Sequence, residues 1–130
     1  MLNNHFDVEG FEKEWRVLGE EICQAVFKNP DIQQIKANFQ QNGFLSLEEK
    51  SQFINICDRI KYELIYRKYG AEGTEGYKQF SNSWQAWFQA KGVKSQKPNE
   101  QRTNVDHILY GSTPDPEQFL NGFEQEQKSN

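Results

Sequence analysis

Cysteine, histidine, proline and methionine are all scarce in this chain, whose 130 residues hold two, two, four and one of them. Two cysteines cannot build the multi-bridge framework of a small secreted domain, and neither Cys23 nor Cys57 has the Cys-x-x-Cys partner of a zinc or redox site. His5 and His107 stand far apart, and no Glu-x-x-His step offers the carboxylate-histidine ligands of a di-iron bundle. No metal and no cofactor is expected. Long apolar runs are missing as well, since nothing approaches the ~18 consecutive residues of a membrane span. Mean hydropathy is -0.93, and the leading charged, apolar and small-residue succession of a secretory signal is absent. These absences predict a cytoplasmic protein that does not work in a membrane.

Catalytic patterns are equally thin. Glu20-Glu21 and Glu48-Glu49 are the evident carboxylate pairs, and neighbours of this kind belong to the solvated face of a helix. Asp106-His107 is the one pairing suited to proton transfer, on a short turn in a weakly apolar region. Gly70, Gly73 and Gly76 resemble a phosphate-cradling loop in spacing alone, because no strand precedes them; a turn between helices is the simpler reading. An enzyme is not expected.

What the chain does contain is rings and a patterned charge. Ten Phe, five Tyr and three Trp offset a shortage of aliphatics, because each ring removes roughly 150 to 250 Å² from water when buried. Lys/Arg against Asp/Glu run five to ten over residues 1–58, nine to four over 59–102, and one to five over 103–130. The basic middle block also holds eight of the eighteen aromatics. A partner is therefore expected there.

Apolar residues recur at steps of three and four, which predicts helices throughout. Phe11, Trp15, Leu18, Ile22, Ala25 and Val26 line a first helix that starts near Asp7 and stops at Asn29-Pro30. Pro30 can open a second, with Ile32, Ile35 and Phe39 inward and Asn42-Gly43 at its end. Ser46 and Glu49 form a capping box for a third, which buries Phe53, Ile56, Cys57, Ile60 and Leu64 and stops at Gly70. Thr74 caps a fourth that carries Tyr77, Phe80, Trp84, Trp87 and Phe88 as far as Gly92. The fold class is all-α, a small antiparallel bundle of about four main helices with a less ordered C-terminal extension.

On this reading residues 1–91 form the bundle domain, and 92–130 form a polar linker and acidic extension with short helical segments. The extension can dock on the bundle, stay mobile, or order against something else. Asp115-Pro116 starts its last helix, and Ile108, Leu109, Tyr110, Phe119 and Phe123 are its candidate contacts. Folded back on the basic block, they would compete with a partner, and deleting 104–130 would strengthen binding.

Tyr62, Ile65, Tyr66 and Tyr69 make a second apolar strip on the third helix, so that helix is either central in its bundle or covered by another chain. Trp, Tyr and Arg are the usual interface anchors. The expected partner-binding residues are thus Tyr62, Tyr66, Arg67, Tyr69, Trp84, Trp87 and Lys91. The first expectation is a non-enzymatic regulator, inhibitor or adaptor that binds a protein through this surface, homodimerisation included. The alternative is a nucleic-acid-binding regulator in which the cations of 59–102 meet phosphates and Trp84, Trp87 and Phe88 stack on bases.

Overall fold

A computed structural model describes residues 6–92 and 102–128, with side chains for 6–91 and 102–123. Six helices run α1 (Val8–Lys28), α2 (Pro30–Asn42), α3 (Leu47–Tyr69), α4 (Glu75–Trp87), α5 (Asn104–Leu109) and α6 (Pro116–Lys128). A π-helical turn, Phe88–Gly92, prolongs α4. The chain is all-α, and no strand occurs among the described residues.

Each helix starts where a side chain can take its orphan amides. Asp7 accepts from the Gly10 amide at 2.8 Å. Asn29 serves two helices, its amide closing on the Val26 carbonyl of α1 while its side chain accepts from Asp31 and Ile32 of α2. Ser46 Oγ accepts from the Glu49 amide at 3.1 Å, and Glu49 Oε1 accepts in return from the Ser46 amide at 2.9 Å. Replacing a cap of this kind costs about 1 kcal/mol. Ser46→Ala is therefore expected to lower unfolding free energy by about that amount in a urea titration, with an unchanged slope. At the far end of α2, Gly43 adopts φ +82°, a left-handed backbone that a side chain would strain.

Trp15, Leu18, Ile22 and Val26 of α1 are buried, as are Ile32, Ile35 and Phe39 of α2 and Phe53, Ile56, Cys57 and Ile60 of α3. The three- and four-step pattern is the inward face in all three. On α3 one residue changes sides. Ile65 is buried at 2% exposure and Leu64 is only partly so, which places Ile65 with the core and not on an outer strip with the tyrosines. α1 packs against α2, α3, α4 and α5, while α3 packs against α1, α2, α4 and α6. Both helices are central.

The back of the chain docks. All six residues of α5 are buried, and Phe119, Leu120 and Phe123 of α6 join the same core. Leu109 sits over Gly19 of α1 so closely that a Cβ there would lie 2.8 Å from Leu109 Cδ2. Phe119 meets Phe53 edge-on at 5.3 Å, and Tyr110 stacks on Trp87 at 5.5 Å. Polar bonds fix the register: Trp15 Nε1 and Trp84 Nε1 both donate to the Leu109 carbonyl, at 3.1 and 3.0 Å. Arg16 pairs with Asp106 at 3.3 Å, and the Leu45 amide donates to Glu117 at 3.2 Å.

The candidate tail contacts Ile108, Leu109, Phe119 and Phe123 are thus core residues that meet Gly19 and Phe27 of α1 and Phe53 of α3 as well as Trp84 of the basic block, and Tyr110 packs at their edge. A segment so placed cannot be cut away without opening the interior.

Candidate interaction site

The second half of α3 and the length of α4 from Tyr77 to Trp84 border a cleft of about 260 Å³. Buried Trp15, Ile65, Phe80 and Ile108 make its floor. Partly exposed Lys61, Tyr77, Ser81 and Trp84, with exposed Tyr62 and Gly111, make its rim. Four helices and the turn after α5 contribute, so the cleft exists only once the back of the chain has docked.

Two shallow grooves leave the cleft on either side. Tyr62 also borders one of them, with Asp58, Arg59, Glu63 and Tyr66. Tyr77 and Ser81 border the other, with Thr74, Lys78 and Asn82. A chain of rings connects the two, with centroids 5.8 Å apart from Tyr62 to Tyr66 and 5.8 Å from Tyr66 to Tyr77. Tyr66 is held by its phenol, which donates to Glu72 at 2.7 Å. That bond, more than burial, pushes the Tyr66 phenol up to about 12.

Lys61 is the cation of the rim. Burial pulls its ammonium below the ordinary lysine value, and Asp58 one turn earlier opposes this from beyond ion-pair range. Its Nζ lies 5.4 Å from the centre of the Tyr62 ring, and no carboxylate among the described residues pairs with it directly. An ammonium over a ring face is favourable, though weaker than a charged hydrogen bond.

The sequence-predicted residues divide sharply. Tyr62, Tyr66 and Trp84 come together at the cleft and its neighbouring groove, with Arg67 exposed on the same end of α3. Trp87 does not belong there: it is buried at 1% exposure, with its indole donating to Glu12 at 3.1 Å, so no partner reaches it in the folded chain. Tyr69 turns the other way, stacking on Phe80 at 4.4 Å and donating its phenol to Glu14 at 2.9 Å. Lys91 is engaged by Glu9 at 3.0 Å and Glu12 at 3.3 Å, which raises its ammonium. Glu12 is correspondingly lowered, first by the Trp87 indole.

Lys61, Tyr77, Ser81, Ile108 and Gly111 join the site without having been singled out for it. Spacing gave a signal for Tyr77, as part of the α4 stripe, and for Ile108 only as a contact of the C-terminal extension. Ile108 and Gly111 arrive through the docking of α5, which linear spacing does not encode.

Other chemistry is weakly supported. Burial pushes the Cys57 thiol up to about 12, which leaves it protonated at neutral pH, and Cys23 is buried too. Among the described residues no three His, Cys, Asp or Glu side chains converge as a metal set would require. His107 Nδ1 lies 2.8 Å from Ser112 Oγ at the buried end of α5, where Ser112 also bonds the His107 carbonyl. That arrangement caps the short helix. No described helix is long and apolar enough to cross a membrane.

No family model, curated protein or solved structure matches this chain. The surface itself has to carry any functional reading.

Proposed function

We propose that this chain is a non-enzymatic protein-binding module, a regulator or adaptor, which receives a segment of another protein across the α3–α4 face. The carrying observation is a ring-lined cleft with shallow grooves continuing from it through Tyr62 on one side and Tyr77 on the other. Pockets for drug-sized ligands hold about 300 to 1,000 Å³. The cleft, at about 260 Å³, is sized for one large side chain, and the grooves on both sides suit the chain that would carry it.

The nucleic-acid alternative loses support from the same geometry. Stacking on bases needs free ring faces, yet Trp87 is buried and Trp84 is stacked on Phe88 at 5.0 Å. Lys91 is tied to carboxylates, and Arg102 lies 4.9 Å from the Tyr110 ring centre. Lys94 and Lys97 lie outside the described residues.

Comparative capture tests the proposal. Immobilised wild-type chain, a Tyr62→Ala/Tyr77→Ala variant and a Val17→Ala control on the exposed outer side of α1 are each checked for helical content and challenged with extract from the source cells. A protein retained by wild type and control is expected to be lost by the double variant. Losing one anchor residue costs about 2 kcal/mol, or about thirtyfold in affinity. Equal retention by all three would contradict the proposal.

A further inference from the structure

We infer that the cleft receives an acidic apolar anchor: a large apolar side chain of the partner segment, flanked by an Asp or Glu whose carboxylate reaches Lys61 Nζ. The inference rests on the protein-binding reading and specifies the chemistry of the occupant. Two features of the cleft require two features of the anchor.

The first is the floor. Trp15, Ile65, Phe80 and Ile108 present only rings and aliphatic carbon below the rim, apart from indole N–H groups, and the Trp15 and Trp84 indoles already donate to the Leu109 carbonyl. With its indole donors engaged, this floor favours an apolar group.

The second is the lone rim ammonium. Lys61 is half-buried before anything binds, and among the described residues it touches a ring face in place of an anion. An occupant that fills the cleft removes more water from this group. Without an acceptor it would leave a cation buried and unpaired, a large penalty that a carboxylate removes. A basic anchor would add repulsion to the same penalty. The flanking grooves do not decide the sign, since Asp58 and Glu63 accompany Arg59 on one side and Glu75 accompanies Lys78 on the other. Selection for an anion is local to Lys61, with Ser81 on the same rim able to donate a second hydrogen bond.

Three capped peptides, Glu-Phe-Glu, Gln-Phe-Gln and Lys-Phe-Lys, are the probes, titrated to about 10 mM with the Trp84 indole and Lys61 ammonium followed by nitrogen-edited NMR. The acidic peptide is expected to shift both signals saturably, and to bind at least about tenfold more tightly than the amide peptide. Lys61→Gln should erase that preference, weakening Glu-Phe-Glu and relieving Gln-Phe-Gln of the buried-cation penalty, and Lys61→Arg should preserve it. Equal affinity for the acidic and amide peptides, an acid preference that survives in Lys61→Gln, or no saturable shift with any peptide would each overturn the inference. Any of these results combined with capture that still depends on Tyr62 and Tyr77 would leave protein binding standing and remove only the acidic anchor. Capture that ignores those two tyrosines would instead remove the parent reading.

Discussion

Ending the chain after Thr103 is expected to abolish its cooperative thermal transition. Val105, Ile108, Leu109, Phe119, Leu120 and Phe123 each retain 7% exposure or less in the folded chain. Burying a large apolar side chain stabilises a fold by about 1.5 to 3 kcal/mol, and whole domains are stable by only about 5 to 15 kcal/mol. Removing six such groups takes away a share comparable to the entire margin. The truncation also exposes Trp15, Gly19, Phe53 and Trp87, which now face α5, α6 or Tyr110. Circular dichroism should show a loss of helix beyond the deleted residues and a featureless melt. A sigmoidal melt near the full-length midpoint would contradict the shared core. The same structure withdraws a simpler expectation, that cutting away 104–130 frees a binding face, because the cut removes part of the cleft floor with it.

The two indoles that meet on the Leu109 carbonyl give the second large effect, and it is one of coupling. Trp15 and Trp84 donate to the same oxygen at 3.1 and 3.0 Å, at the end of a buried helix. With either tryptophan replaced by phenylalanine, the other still satisfies the carbonyl. With both replaced, it is a buried acceptor left without the donors seen here, at a cost of about 1 to 3 kcal/mol. The Trp15→Phe/Trp84→Phe chain should therefore lose more stability than the two single variants summed, by about 1 to 2 kcal/mol in a denaturant double-mutant cycle. Strict additivity would mean that the shared carbonyl does not join α1 and α4 to α5.

Much of the architecture was legible in local chemistry. Asn29-Pro30, Ser46 with Glu49, Thr74 and Asp115-Pro116 each mark a helix start because a short polar side chain can satisfy amides that the helix leaves free. The inward faces of α1 and α2 followed from spacing alone. Spacing was ambiguous where a helix is apolar around more of its circumference. Ile65 lies one position from Tyr66 and Leu64, and the packing of neighbouring helices, not its period, decides that it is the residue turned inward.

Trp84 and Trp87 show the same limit. Both belong to the α4 stripe, but Tyr110 arrives from the back of the chain to cover Trp87, while Gly111, without a side chain, leaves the Trp84 edge at the cleft. The contact that separates a core tryptophan from a rim tryptophan is tertiary. For the same reason Lys61 carried no special signal: one more cation in a basic block becomes distinctive only when its neighbours bury it without supplying an anion.

The union of front and back into one interior, from which the cleft follows, is tested most directly by native-state hydrogen exchange at the amides of Ile108 and Leu109 against those of Ile22 and Val26 in α1. Exchange at all four through the same global opening, with one shared free energy and one shared denaturant dependence, is the expected result. Exchange of Ile108 and Leu109 through a small local opening, while α1 stays protected, would separate the two halves and leave the cleft floor without Ile108.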